Sequence, residues 1–345
     1  MDLTRDALAG KIPVTLVTGF LGSGKTTLIS RLVRHPDMSR IAVVINEIGE
    51  IGIDHDIVAM ATENIALLAN GCICCSVRTD LQETLRELFG QRRAGQVADF
   101  DRVIIETTGL ADPAPVVQTL SSDTMIATHY RLDGVVTLVD AVNGAQQLAG
   151  HGEPLKQIAL ADRVFITKSD LATREQVETL EAAIRGINPG AQLAPLLNGE
   201  VEPQQLMNLG LASARAGART LSFLGEDLAG GGAGGERTLA RSALHDGSIR
   251  TLSLRFERPF SWSAFSAALE LLATLRGPDL LRVKGIVNVE GKPVVVQGVQ
   301  HVFHDPVPLD RWPSEDMDTR LVFITRNIEA QTIRNLLQAV ADAAS

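Results

Sequence analysis

The chain has 345 residues, of which 45% are hydrophobic and 21% are charged, and its formal net charge is −9. This length predicts two domains, and the composition is that of a globular protein and not of a disordered or fibrous chain. The acidic balance and the lack of an apolar run near roughly 18 residues argue against nucleic-acid and membrane partners. Because the first residues lack the basic and apolar regions of a secretory signal, we expect a cytoplasmic protein.

The first two hundred residues alternate between short apolar strands and helices. Continuous apolar runs are typical of strands that are buried on both faces of a parallel sheet. The predicted strands are 13–18, 41–45, 102–106, 134–140 and 163–167, and the main predicted helices are 25–34, 81–89 and 174–187. This order predicts a doubly wound α/β sheet.

The chain changes character at residues 225–235, which contain six glycines in eleven positions and which we interpret as a linker. The strands predicted after it are 250–256, 281–289, 292–299 and 320–325, and the helices are 261–275 and 329–343. A hairpin turn is expected at Glu290-Gly291. The predicted boundaries are 1–224 for a P-loop NTPase domain, 225–248 for the linker and 249–345 for a smaller C-terminal α+β domain.

Residues 19–26 read GFLGSGKT and fit the phosphate-binding loop G-x-x-x-x-G-K-[ST] between a predicted strand and a predicted helix. A chance glycine-rich turn is the alternative, and the flanking strand and helix argue against it. In such a loop, backbone N–H groups surround the β-phosphate, Lys25 bridges phosphate oxygens and the Thr26 hydroxyl ligates Mg²⁺. The residues expected at the phosphates are Gly22, Ser23, Gly24, Lys25, Thr26 and Thr27.

Two further motifs follow later predicted strands. Residues 106–109 read ETTG, so Glu106 can hold the Mg²⁺ shell and Gly109 can sense the γ-phosphate, although a strand-ending glutamate at a turn is the alternative. Residues 167–170 read TKSD and match the [NT]-K-x-D pattern that selects guanine. The Asp170 carboxylate would accept hydrogen bonds from the base, and the Lys168 stem would pack on it after Thr167. We therefore predict GTP as the nucleotide and not ATP.

All three cysteines of the chain lie within four positions, as Cys72, Cys74 and Cys75. Thiolates select soft metals such as zinc or copper(I), and three thiolates with an open fourth position suit metal transfer. Neighbouring residues on a strand point apart, so one ion bound by all three requires a turn here. Buried apolar cysteines and a redox pair are the alternatives. Glu47 follows the second predicted strand, in a region that can move with the γ-phosphate and Mg²⁺.

In their order along the chain, these motifs resemble those of the CobW-type metallochaperone GTPases. The segments 282–285, 296–299 and 321–327 are similar to the C-terminal domain of that family, so the resemblance covers nearly the whole chain. It implies that Cys72, Cys74, Cys75 and Glu47 serve the metal, and that Lys25, Thr26 and Glu106 are the catalytic residues at phosphate and Mg²⁺. The chain departs from the family pattern at two places. Its linker is glycine-rich where many members carry histidines. Thr167 stands where many members have asparagine.

The resemblance implies a GTP-hydrolysing metal chaperone that binds Zn²⁺, or Co²⁺, and transfers it to a client apo-metalloprotein. A metal-responsive GTPase switch or sensor without delivery is one alternative, and a cobalt-handling protein of cobalamin metabolism is another. A redox-switched GTPase is a third. A small-molecule kinase is a fourth, and the guanine motif argues against it. The fourth metal ligand and the oligomeric state, including a homodimer, are left open.

Overall fold

The computed structural model describes residues 10–38, 40–46, 65–67, 73–77, 81–207, 209 and 249–343. The predicted linker, Glu47 and Cys72 lie outside these residues. The described residues divide into two compact units, one within 10–180 and 193–210 and the other within 181–192 and 249–343. Each unit is described by itself.

The first unit is built on a mostly parallel sheet. Its strands are β1 (Ile12–Gly19), β2 (Ile41–Asn46), β3 (Ile65–Leu67), β4 (Ile73–Val77), β5 (Arg102–Thr107), β6 (Tyr130–Asp140), β7 (Arg163–Thr167) and β8 (Gln192–Leu196). Among the described residues these eight strands lie in the order β3-β4-β2-β5-β1-β6-β7-β8. The neighbours from β4 to β7 pair in parallel, and β3 pairs antiparallel with β4. The predicted doubly wound α/β class is confirmed.

Helices follow most of these strands, as expected for parallel crossover connections. The helices are α1 (Lys25–Leu32), α2 (Leu81–Arg93), α3 (Ala114–Ser122), α4 (Thr124–His129), α5 (Gly144–Gly150), α6 (Gly152–Leu160) and α7 (Arg174–Ile187), of which α7 belongs to the second unit from residue 181 onward. Strand β5 is buried along its whole length. Helix α1 buries Leu28 and Leu32 in a cluster with Val17, Ile104 and Leu138 of the sheet. This contact fixes the helix that follows the phosphate loop against the strand that precedes it.

The second unit contains an antiparallel sheet covered by two helices. Its elements are β9 (Ile249–Phe256), α8 (Trp262–Arg276), β10 (Leu280–Val289), β11 (Lys292–Val299), β12 (Val302–Phe303), β13 (Val307–Pro308), β14 (Thr319–Arg326) and α9 (Ala330–Ala343). The strand order is β12-β11-β10-β14-β9, and β13 also pairs with β11. Phe265 of α8 and Leu337 of α9 are buried in one cluster with Phe323 of β14. The smaller α+β domain is therefore confirmed.

The predicted hairpin between β10 and β11 is confirmed. Val289 pairs with Lys292, and the two residues between them have positive φ, 52° at Glu290 and 88° at Gly291. Such a two-residue turn matches the right-handed twist of the flanking strands. Glycine therefore suits the second position because it adopts positive φ without a steric penalty.

The sequence missed the strand that carries two of the cysteines. Cys74 and Cys75 lie in β4, with an extended backbone that pairs with β2 on one side and β3 on the other. A single ion bound by all three cysteines requires a turn. Cys74 and Cys75 lie in extended β4, and Cys72, where the turn would have to lie, is outside the described residues, so the turn stays a prediction. No described helix is both long enough and apolar enough to cross a membrane.

We predict that Gly285→Ala destabilises the second unit by about 1–3 kcal/mol, the usual range for overpacking. A Cβ atom at Gly285 of β10 would lie 2.2 Å from the backbone oxygen of Arg320 on β14, so a strand must move. Chemical denaturation measures the change. Gly186→Ala is the control, since its Cβ would meet nothing within 4 Å in helix α7, and we expect stability to hold or rise. Equal stability of Gly285→Ala and the wild type would contradict the packing described here.

Candidate nucleotide and metal site

The phosphate loop lies at the carboxyl end of β1, and it depends on glycine at its first position. Gly19 has φ 145°, and a Cβ atom there would lie 2.4 Å from the backbone oxygen of Leu138 on β6. Gly22 and Gly24 also have positive φ, 73° and 95°. The loop therefore turns closely against the neighbouring strand and presents its backbone, as a cradle for phosphate requires.

The Lys25 ammonium group lies inside this loop. Its Nζ donates hydrogen bonds to the backbone oxygens of Gly19, at 2.8 Å, and Phe20, at 3.2 Å. Lys25 is only 9% exposed. The loop carbonyls thus hold the positive charge at the place where phosphate oxygens would take over as acceptors.

The start of helix α1 has the properties of an anion site. Gly24 is its N-cap, and no side chain caps the helix. The Ser23 hydroxyl is fully buried and has no hydrogen-bond partner among the described residues. Uncapped N–H groups and the positive end of the helix dipole favour a bound anion. These residues fit a nucleotide phosphate.

Strand β5 brings the second motif to the phosphate loop. Glu106 is 3% exposed and stands in register with Val17 of β1, while the Thr107 hydroxyl donates to the Thr18 hydroxyl at 2.8 Å. A Cβ atom at Gly109 would lie 2.7 Å from the backbone nitrogen of Leu21. Glu106 and the partly buried Thr26 supply the carboxylate and hydroxyl oxygens that Mg²⁺ prefers.

The guanine motif is tied to the phosphate loop through its first residue. The Thr167 hydroxyl donates to the backbone oxygen of Ser23 at 2.9 Å. Thr167 stands where many family members have asparagine, and its hydroxyl supplies a donor to the loop. Asp170 is exposed just beyond the end of β7.

Sequence reasoning missed Asp140, which holds the lysine of this motif. Lys168 has φ 57°, a conformation that non-glycine residues rarely adopt, and its Nζ donates to Asp140 Oδ2 at 2.7 Å. Asp140 also accepts hydrogen bonds from the backbone N–H groups of Val142 and Asn143. Burial raises the pKa of Asp140, but the hydrogen bonds from Lys168, Asn143 and Val142 outweigh burial, so its pKa lies below the ordinary 3.8. In the sequence, only the position of Asp140 at the end of a predicted strand pointed to a role at this edge of the sheet.

The structure places the cysteine strand in the same sheet as the phosphate loop. Cys75 is in register with Val44 of β2, and Val44 with Ile105 of β5. In the described part of the chain, no three His, Cys, Asp or Glu side chains are grouped closely enough to hold a metal ion. Cys72 and Glu47 belong to the undescribed part, so the predicted metal ligands stay a prediction.

A cavity of about 510 Å³ lies beside the carboxyl end of α1, the end opposite to the phosphate loop. Arg31, Arg34 and His35 line it together with Glu200 and Glu202. None of these residues was predicted as a site residue. The cavity is separate from the nucleotide motifs, which are gathered at the amino end of α1.

We predict that Asp140→Asn lowers the free energy of unfolding by about 2 kcal/mol at pH 7, the usual range for hydrogen bonds to a charged group. The folded-state pKa is depressed, so the carboxylate stabilises the fold above pH 3.8 and this contribution disappears as pH falls through the folded-state pKa. Denaturation of both proteins between pH 3 and pH 7 measures it. The exposed Asp37→Asn is the control. A stability difference between the wild type and Asp140→Asn that stays constant down to pH 3 would contradict the depressed pKa of Asp140.

Comparison with known proteins identifies the family. Residues 13–195 match the model of the CobW/HypB/UreG nucleotide-binding domain, and residues 249–341 match that of the cobalamin synthesis protein cobW C-terminal domain. The zinc chaperone YjiA of Escherichia coli is 32% identical over 331 residues, covering 94% of this chain and 96% of its own. The zinc chaperone CobW of Pseudomonas aeruginosa is 32% identical over 370 residues, covering 95% and 91%.

A further relative and a solved structure agree with this assignment. The zinc-regulated GTPase metalloprotein activator 1 of Dictyostelium discoideum is 28% identical over 324 residues, covering 83% of this chain and 65% of its own. The crystal structure of the Zn(II)-bound YjiA GTPase from E. coli superposes with a TM-score of 0.76 at 30% identity, covering 96% of this chain and 99% of that one. With both of its domain models matched, the chain belongs to the CobW family.

Proposed function

We propose that this protein is a GTP-hydrolysing metal chaperone that binds zinc and transfers it to client apo-metalloproteins under nucleotide control. The proposal is supported by the names of its relatives, two zinc chaperones and a zinc-regulated GTPase metalloprotein activator. It is also supported by the geometry of the phosphate loop, where Lys25, an uncapped helix and a buried serine hydroxyl converge.

One observation carries the link between metal and nucleotide: the register of the cysteine strand. Ser76 of β4 lies in the same row across the sheet as Ile45 of β2, Glu106 of β5 and Val17 of β1. Cys75 is therefore one residue before the row that contains Glu106. Two strand spacings separate their backbones, about 10 Å. A change at the Mg²⁺ edge thus has a short, hydrogen-bonded path to the cysteines.

In the proposed reaction, water attacks the γ-phosphorus of GTP, the bond to the β–γ bridging oxygen breaks, and the products are GDP and inorganic phosphate. The protein acts by positioning and charge stabilisation. The backbone of the phosphate loop surrounds the β-phosphate, and Lys25 moves its hydrogen bonds from the loop carbonyls to phosphate oxygens. The N–H of Gly109 contacts the γ-phosphate. Thr26 and Glu106 would hold Mg²⁺, which neutralises charge on the β- and γ-phosphate oxygens.

Base selection is assigned to the turn that follows β7. The Asp170 carboxylate accepts hydrogen bonds from N1–H and the amino group of guanine, which adenine cannot reproduce. The Lys168 stem packs on the base, held by Asp140. Thr167 connects this turn to the phosphate loop, so base and phosphate are positioned together.

Zinc is the cargo. The proposed ligands are Cys72, Cys74 and Cys75, with Glu47 taking part in metal sensing. Three thiolates favour zinc, and an open fourth position permits transfer to a client. GTP binding tightens the metal site, and loss of the γ-phosphate on hydrolysis loosens it, so the metal is then released. By linkage, zinc must then tighten GTP binding by the same factor.

Thiolate ligands stay reduced in the cytoplasm, which is where we place the protein. We propose domain boundaries at 1–224 and 249–345 with a linker at 225–248, in keeping with the second family match, which begins at residue 249. The C-terminal domain contacts the client or a second copy in a homodimer.

We predict that zinc tightens binding of a non-hydrolysable GTP analogue by about tenfold in the wild type, within the usual range of coupling between two sites. Cys74→Ala should lose this effect while it keeps its affinity for the analogue without zinc. Ser76→Ala, on the same strand, is the matched control and should respond to zinc like the wild type. Calorimetry with and without zinc measures the affinities, and phosphate release measures GTP hydrolysis in parallel.

Two results would count against the proposal in different ways. If zinc changes neither affinity nor hydrolysis in any variant, the cysteines are structural or redox groups and the chaperone function fails while the GTPase remains. If the wild type does not hydrolyse GTP, the assignment of the phosphate loop fails.

A further inference from the structure

Helix α6 holds the turn that follows the second nucleotide motif. The side-chain amide of Gln157 donates to the backbone oxygens of Gly109, at 3.1 Å, and Ala111, at 3.2 Å. Gln157 is fully buried. The preceding residue, Lys156, binds the Asp112 carboxylate at 2.9 Å. Two consecutive helix residues therefore hold the turn 109–112 at three points.

The turn is also fixed on its other sides. Asp112 accepts a hydrogen bond from the backbone N–H of Ala114 at 3.0 Å, at the start of α3. Gly109 lies against the phosphate loop, where a Cβ atom would be 2.7 Å from the backbone nitrogen of Leu21. The turn is thus packed between the phosphate loop and α6, and Gln157 supplies hydrogen-bond donors to it from the α6 side.

The orientation of the Gln157 amide follows from its partners. Two carbonyl oxygens face it, and only the amide nitrogen can donate to both. The backbone oxygen of Gln157 is itself held by the Thr137 hydroxyl of β6 at 2.8 Å. Within the described residues the amide oxygen of Gln157 has no hydrogen-bond partner, although it is buried. A buried acceptor without a partner costs free energy. The favourable contribution of the Gln157 side chain therefore comes from its two hydrogen bonds to the turn.

We propose that Gln157, supported by Lys156, is a positioning residue that sets the Gly109 turn for recognition of the γ-phosphate. This inference rests on the proposed function, in which the Gly109 N–H contacts the γ-phosphate. Gln157 touches no substrate, and it acts through the backbone of the turn. It determines how strongly the protein distinguishes GTP from GDP.

The physical reason is preorganisation. A turn that is already held in place loses little conformational freedom when the γ-phosphate binds, so more of the interaction energy appears as affinity. GDP has no γ-phosphate and gains nothing from an ordered Gly109. Loosening the turn should therefore weaken GTP binding and leave GDP binding almost unchanged.

The experiment compares the affinity of each variant for a non-hydrolysable GTP analogue and for GDP, using the full chain with Mg²⁺. Gln157→Met removes both donors and keeps the size of the side chain. We expect the analogue to bind about tenfold more weakly, as for the loss of about one net hydrogen bond, with GDP affinity within about twofold. Gln146→Met is the matched control, because Gln146 is exposed on α5, and it should behave as the wild type.

A second pair of variants tests the inference if Gln157→Met does not fold. Lys156→Gln removes the partly exposed ion pair with Asp112, and we expect a smaller loss of analogue affinity, about twofold to threefold. Lys156→Arg keeps the charge and should restore the wild-type ratio of the two affinities. A folded Lys156→Gln protein with an unchanged ratio would overturn the inference in that case.

The result that overturns the inference in the main experiment is a parallel loss of GDP and analogue affinity, or no loss, in Gln157→Met. A parallel loss would mean that Gln157 only stabilises the fold. Failure of the nucleotide assignment is distinguishable, because the wild type would then bind neither guanine nucleotide. Failure of zinc delivery alone would leave both wild-type affinities intact and does not affect this test.

Discussion

The nucleotide edge of this protein depends on how closely the phosphate loop lies against its neighbours. Gly19 leaves no room for a Cβ atom beside Leu138, and Gly109 leaves none beside Leu21. These two contacts place the ends of β1, β5 and β6 at one point. Lys25 and Thr167 then hold the loop in place, because each donates a hydrogen bond to one of its carbonyl oxygens. Because each nucleotide motif contacts the loop, a shift of the loop on phosphate binding would also displace these motifs.

The parallel sheet extends this constraint to the cysteines. Strand β4 pairs with β2, and β2 pairs with β5, so the cysteine strand and the strand of Glu106 share one hydrogen-bonded layer. The order of the strands thus places the proposed zinc ligands Cys74 and Cys75 in the same sheet as the nucleotide motifs.

Much of this arrangement could be predicted from the sequence, because its signals are local. The phosphate loop, the ETTG and TKSD motifs and the apolar strands before them are each contiguous, and the hairpin at Glu290-Gly291 follows from turn chemistry. The residues that the sequence did not reveal act across long separations. Gln157 meets Gly109 from 48 positions away, and Asp140 meets Lys168 from 28. No short pattern encodes such pairs, since only the folded sheet brings them together.

Coupling between the proposed metal site and the nucleotide site can be tested by measuring zinc affinity in two nucleotide states. Competition with a chromogenic chelator would measure this affinity, once with GDP and once with a non-hydrolysable GTP analogue, each with Mg²⁺. We expect tighter zinc binding with the analogue, by the same factor by which zinc favours the analogue over GDP. Equal zinc affinities in the two states would contradict it.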